Sequence, residues 1–327
     1  MKYRPLGDTG IQISEISFGT WAAGGSWGRV EDEESLRALA TAMESGVNFF
    51  DTADVYGDGR AERLLSQATK GKEDEIYIAT KFCRAGDIHD PKTYSEETVR
   101  AYCEASLSRL GRERIDLYQI HCPPLAILKD GSVFEVLEKL QSEGKIRHYG
   151  VSVESVEEGL VCLDVPGVKA LQVILNIFRQ KPLEKLLPEA QKRGVGILAR
   201  LPLASGLLTG KFSETSSFEE DDHRKFNRNG EHFNVGETFA GLPFEKGVEL
   251  SRKLDWIADS RGKMTHAALR WLLDCPEVSC VIPGFKSEAQ VVDNLKAQSV
   301  PSFTPEEMER LAVFYREEVH PYIRGSY

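Results

Sequence analysis

Paired cysteines are missing from this chain. Its six cysteines, at 83, 103, 122, 162, 275 and 280, are scattered, and none stands in a CxxC pair. That spacing offers neither a zinc site nor a disulfide framework and reads as reduced thiols in a cytoplasmic protein. Long apolar runs are missing too. None approaches the roughly 20 residues of a membrane span, and the start, Met1-Lys2-Tyr3-Arg4-Pro5-Leu6-Gly7, lacks the apolar core of a secretory signal. Positive charge is in deficit, with 41 Lys and Arg against 51 Asp and Glu for a formal net charge of -10. A nucleic-acid surface would normally be basic, so that class of partner is not expected. Nor does a GxGxxG follow the first strand-like segment, which removes the main fingerprint of the doubly wound dinucleotide fold.

What is present is an alternation. The 327 residues would suggest about two domains by length, but α/β barrels commonly pass 250 residues as one unit. Residues 1–13 read as a β-hairpin turning at Gly7-Asp8-Thr9-Gly10. Strand-like segments then follow at 16–21, 47–51, 76–81, 115–121, 146–152, 170–176, 195–200 and 279–282. Helical patterns separate them, several stopped by a glycine such as Gly46, Gly111, Gly144 or Gly194. Eight strand-then-helix units fit a (β/α)8 TIM barrel spanning 1–327 as a single domain better than an open sheet. Two stretches fall outside the alternation. Residues 213–242 are polar and lack periodicity, the mark of a long loop over the barrel mouth. The C-terminal tail, 304–327, opens with a capping box from Thr304 to Glu307 and a short helix.

Three successive strand-like segments end on polar groups. Val47-Asn48-Phe49-Phe50-Asp51 ends on an acid, with Tyr56 five residues on; the next ends at Lys81 and the third at His121. Catalytic groups of such barrels sit at the carboxyl ends of the strands. A tyrosine, with a reference pKa of about 10, is a poor acid at neutral pH. A nearby lysine lowers that value, an aspartate holds the lysine charged, and a neutral histidine can orient a carbonyl oxygen. The set suits protonation of the oxyanion formed when hydride reaches a carbonyl carbon.

Asp51-Thr52-Ala53-Asp54-Val55-Tyr56-Gly57, Thr80-Lys81 and Gln119-Ile120-His121 resemble the Asp–Tyr–Lys–His tetrad segments of the aldo-keto reductases, and the resemblance covers nearly the whole chain. It implies a metal-free reductase that uses NADPH, or less often NADH, on a small-molecule aldehyde or ketone, with Asp51, Tyr56, Lys81 and His121 catalytic. By the same resemblance Ser152, Gln172 and Asn176 hold the nicotinamide carboxamide side. The segment Pro202 to Lys211, through Leu203, Gly206, Leu208 and Gly210, wraps the pyrophosphate. Gly284, Lys286, Gln290 and Asn294 serve the adenosine 2'-phosphate and adenine. The residues agree: Gly206 and Gly210 allow close backbone approach, and Lys211 and Lys286 offer phosphate-binding charge.

Three positions depart from the family pattern. Val153 replaces an asparagine, Arg200 stands where a tyrosine usually stacks on the nicotinamide, and Ser287 stands where an arginine often joins the 2'-phosphate site. An arginine can stack on the ring or turn away to an acid. Candidate substrate residues are Trp21, Trp27, Phe82, the 213–242 loop and Tyr322. The alternative function is a cofactor-sensing regulatory subunit with little turnover, similar to the β subunits of potassium channels.

Overall fold

A computed structural model describes residues 1–25, 27, 28 and 30–327. Strands β1 (Tyr3–Pro5) and β2 (Gln12–Ser14) form the antiparallel hairpin, with Tyr3 opposite Ser14. Eight parallel strands follow: β3 (Phe18–Gly19), β4 (Phe49–Asp51), β5 (Tyr77–Phe82), β6 (Ile115–His121), β7 (Ile146–Ser152), β8 (Val168–Ile174), β9 (Gly196–Arg200) and β10 (Val278–Ile282). Each pairs with the next in chain order. Bridges from Ile16 to Val281 and from Gly19 to Gly284 close the ring, so the architecture is the (β/α)8 barrel that the alternation predicts.

The local signals work as expected at several helix ends. Ser95 and Ser155 cap the helices Glu96–Leu110 and Val156–Leu163, and Thr304 with Glu307 forms the predicted capping box of Pro305–Phe314. Before the last strand, the helix Phe244–Arg252 is followed by a separate 3-10 turn at Asp255–Ala258. The loop 213–242 contains one short helix, His223–Phe226, and two 3-10 turns. Among the described residues no helix is long and apolar enough to cross a membrane.

Two cores hold the barrel. Most buried apolar residues lie between the strands and the surrounding helices. A smaller core includes Phe49, Ala79, Leu117, Ala170, Leu198 and Cys280 from six strands, with Leu6, Ile11 and Ile13 of the hairpin packed into it. Fully burying one such leucine or phenylalanine contributes about 1.5–3 kcal/mol. Successive strand residues face opposite sides, so two positions beyond this apolar layer the same faces carry Asp51, Lys81, Gln119 and Gln172. Lys81 stands opposite Gln119 in the strand register, and hydrogen bonds to Asp51 from Lys81, Gln119 and Gln172 gather the four into one polar layer.

Candidate active site

The polar level is closely wired. Lys81, fully buried, places its Nζ 2.6 Å from Asp51 Oδ1 and 2.7 Å from the Thr52 carbonyl. Its third contact is the Tyr56 hydroxyl at 3.4 Å. The Tyr56 ring meets the His121 ring edge-on, with centroids 5.9 Å apart, and stacks against Trp21 at 6.2 Å. Backbone geometry fixes the tyrosine. Gly57 has φ +62°, and a Cβ there would stand 2.5 Å from the Gly24 carbonyl oxygen. Only glycine fits so tight a crossing between the loops that follow β3 and β4.

Burial sets the protonation states. It raises the Tyr56 phenol above its ordinary value, with Lys81 pulling the other way. The net direction is therefore opposite to the lowering expected from Lys81 alone: desolvation of the phenolate outweighs the ammonium beside it. For Lys81, burial works against the charge, but Asp51 and then Tyr56 outweigh it and the ammonium is held above its usual value. Burial, then Arg84, Lys81 and Arg200, pushes His121 well below the usual imidazole range, so the ring is neutral at pH 7. A proton-bearing phenol, a fixed cation and a neutral imidazole thus share one pocket.

That pocket is one end of a cleft of about 1810 Å³, large beside the roughly 300–1,000 Å³ of an ordinary small-molecule site. Trp21, Trp27, Tyr56 and His121 line one part. Gln172, Arg200, Pro202, Leu203, Gly206, Lys211, Gly284, Lys286, Gln290 and Asn294 line the rest. Four expected cofactor residues do not line it. Asn176 is buried, its side-chain amide donating to the Leu201 carbonyl at 2.9 Å and accepting from the Phe178 N–H. Leu208 is buried in the outer core, Ser152 lies behind Cys122 with their side chains 3.4 Å apart, and Gly210 caps a turn against Met264. Gln172 does reach the cleft, but its amide also donates to Asp51 Oδ2 at 2.7 Å.

Two expected substrate residues are corrected. Phe82 follows Lys81 on β5 and so faces the opposite side, where it stacks on Tyr118 at 4.7 Å in the outer core. Tyr322 is 44% exposed and lies beneath Lys246, away from the cleft. From the tail, Gly325 and Ser326 line the cleft instead.

The sequence reading missed a charge network at the Tyr56 end. Arg84 reaches Glu237 at 2.7 Å and Glu154 at 3.2 Å, and Arg200 reaches Glu237 at 3.4 Å. Arg200 thus pairs with an acid and also approaches the Val153 carbonyl at 3.3 Å. Burial raises Glu154, with Glu237 adding to it; burial also opposes the Glu237 charge, but Arg84 and Arg200 hold that carboxyl down at about 2. Cys122, Glu154 and Glu237 stand close enough to share an ion, yet two arginines already neutralise the acids. Arg84 stands three positions past Lys81; Glu237 lies in the loop named as a pocket candidate.

The far end of the cleft fits a dinucleotide phosphate. Lys286 is half-buried near Arg224, and burial followed by that second cation pushes its ammonium below the usual value, against the pull of Asp222, Asp221 and Glu34. Its Nζ reaches the Trp27 carbonyl. A Cβ on Gly284 would find no neighbour nearer than Ala22 Cβ at 4.0 Å, so backbone is open to a ligand there. Ser287, in place of the second cation, caps the helix Glu288–Leu295 by accepting from the Gln290 amide.

A parallel barrel with these strand-end groups and a long cation-lined cleft defines a nicotinamide-dependent oxidoreductase. The chain belongs to the aldo/keto reductase family, whose model matches residues 15–316. It is 34% identical over 300 residues to the aldo-keto reductase YhdN of Bacillus subtilis, covering 89% of this chain and 87% of that one. It is also 29% identical, over 95% of both chains, to a probable voltage-gated potassium channel subunit beta of Arabidopsis thaliana. Among solved structures it is similar to the glycerol dehydrogenase AKR11B4 of Gluconobacter oxydans, with a TM-score of 0.79, 30% identity and coverage of 99% and 98%. The holo form of the aldo-keto reductase AKR11C1 of Bacillus halodurans gives a TM-score of 0.76 at 26% identity, with 96% of each chain covered. The chain is an NAD(P)H-dependent oxidoreductase of this family.

Proposed function

We propose that the protein reduces an aldehyde or ketone to the alcohol, with NADPH as its preferred reductant and Tyr56 as the general acid. The carrying observation is the chain of contacts Asp51 to Lys81 to Tyr56, at 2.6 and 3.4 Å, with neutral His121 edge-on to the phenol. When bound, the reduced nicotinamide supplies hydride to a carbonyl carbon. His121 orients the carbonyl oxygen through a hydrogen bond, and Tyr56 gives it a proton as negative charge develops there. Lys81 stabilises the phenolate left behind, and Asp51 keeps Lys81 charged and aimed. Gln172 and Gln119 hold the other carboxylate oxygen of Asp51, at 2.7 and 3.3 Å. At the far end Lys286 and Arg224 would face the 2'-phosphate that distinguishes NADPH from NADH, with Lys211 nearer the pyrophosphate. Reduction of a carbonyl panel, followed by NADPH absorbance, tests the reading; loss of turnover in Tyr56→Phe with cofactor binding retained supports it.

The relatives named as probable channel β subunits favour one second reading, a cofactor sensor. It is distinguished by turnover: a sensor binds cofactor tightly but oxidises it very slowly with every carbonyl.

A further inference from the structure

The Tyr56 end of the cleft has two unlike walls. One is aromatic: Trp21 stacks on Tyr56, with Trp27 at right angles to it at 5.5 Å and Phe233 at 6.1 Å. The other carries Arg84, Arg200, Glu154 and Glu237, two charges of each sign. The members are not equally deep. Glu237 and Arg200 side chains are 5% and 12% exposed, whereas Arg84 and Glu154 keep 16% and 20%. All four line the cleft, and Arg84 and Glu154 keep the larger exposed share. Arg84 lines the same cleft as Tyr56 and His121, and its guanidinium lies 6.0 Å from the ring of Phe233, which meets the Trp21 that stacks on Tyr56.

We propose that this end of the cleft selects uncharged carbonyl compounds with a hydroxyl beside the reacting carbon, a hydroxyaldehyde or hydroxyketone, and that Arg84 and Glu154 read the hydroxyl. The inference rests on the carbonyl-reducing reading above. A hydroxyl both accepts and donates. It can accept from Arg84, whose three bonds to the acids use only Nη1 and Nη2 of its five N–H donors, and donate to Glu154. The carbon skeleton then lies on the indole of Trp21. A plain alkyl aldehyde would displace water from the Arg84–Glu154 rim and return no hydrogen bond, a mismatch that polar sites reject strongly. An oxo acid would bring a third carboxylate to an arginine that already holds two, beside a wall whose two cations are already matched by two acids.

The test compares lactaldehyde, propanal and glyoxylate as substrates of the NADPH-bound protein. Lactaldehyde should lead propanal in kcat/KM by about tenfold or more, the worth of a hydrogen bond to a charged group, and glyoxylate should trail both. Arg84→Met and Glu154→Ala, shown to be folded by their cofactor affinity, should each lower the lactaldehyde-to-propanal ratio at least about fivefold. Quenching of tryptophan fluorescence by 1,2-propanediol and by 1-propanol, with cofactor bound, gives a readout independent of turnover, and the diol should bind more tightly. A native ratio near one, or a ratio unmoved in both variants, overturns the selection while leaving carbonyl reduction standing. Tighter diol binding with no turnover of any carbonyl supports the selection and instead overturns the catalytic reading.

Discussion

Gln172 donates a 2.7 Å hydrogen bond to Asp51 Oδ2 across the barrel, so strand β8 helps aim a carboxylate that β4 carries. The other oxygen, Oδ1, takes the Lys81 ammonium at 2.6 Å. The family resemblance assigns Gln172 to the cofactor side, and its place on the cleft agrees, but its amide also ties the cofactor face to the Asp51–Lys81 pair. Ligand contact at Gln172 is thereby linked to the Tyr56 hydroxyl through three hydrogen bonds, by way of Asp51 and Lys81.

The Asp51–Lys81 pair is fully enclosed, with side chains 5% and 0% exposed. Removing one partner leaves the other charge buried alone, which typically costs about 3–5 kcal/mol. Lys81→Met should therefore lose stability on that scale, and Asp51→Asn combined with Lys81→Met should regain a large part of it. Urea unfolding of the three proteins measures this. Equal stability of the single and double variants would mean the pair is not held as described.

Asp54 gives a pH signature. Its carboxyl is buried, and neither oxygen has a hydrogen-bond partner among the described residues. Burial, then Glu62, pushes it from 3.8 up to about 7. The folded protein thus binds a proton there that the unfolded chain releases. Stability from this group is complete below about pH 4 and falls as pH rises toward 7, since the folded state holds the extra proton. Asp54→Asn removes that loss. Its stability relative to the native protein should increase from pH 5 to pH 8, by on the order of 2–4 kcal/mol. A pH-independent difference in urea midpoints would remove Asp54 from this role.

Lys286 should carry much of the discrimination between NADPH and NADH. A charge-assisted contact to phosphate contributes roughly 1.5–3 kcal/mol, or about 10- to 150-fold in affinity. Ser287 supplies no second cation, so a preference toward the lower end is expected, with Arg224 the nearby charge that can add to it. Dissociation constants for both cofactors in the native protein and Lys286→Ala decide the point. Equal native affinities would contradict it.

Much of the site was legible because it follows strand periodicity. Asp51, Lys81 and His121 end inward-facing positions on consecutive strands, and the sequence around each resembles a known motif. The same periodicity shows why Phe82 was misassigned: one step past Lys81, it turns to the helices. Tyr322 lies in a tail whose path no repeating pattern fixes. The Arg84 network was invisible for a different reason. Its partners stand 70 and 153 residues away, and only the closed barrel and the returning loop bring them together. Burial likewise reversed the expected direction for Tyr56, because sequence shows the lysine but not the missing water.

The most direct test of the account is Tyr56→Phe, assayed for carbonyl reduction and for NADPH affinity in the same preparation. The phenol donates the proton yet contributes little to holding the cofactor. Turnover should fall by about 10²–10⁴-fold, the usual scale for loss of a general acid, while the NADPH dissociation constant stays within about twofold of the native value. A variant that keeps most of its turnover would contradict the assignment of Tyr56 as the proton donor.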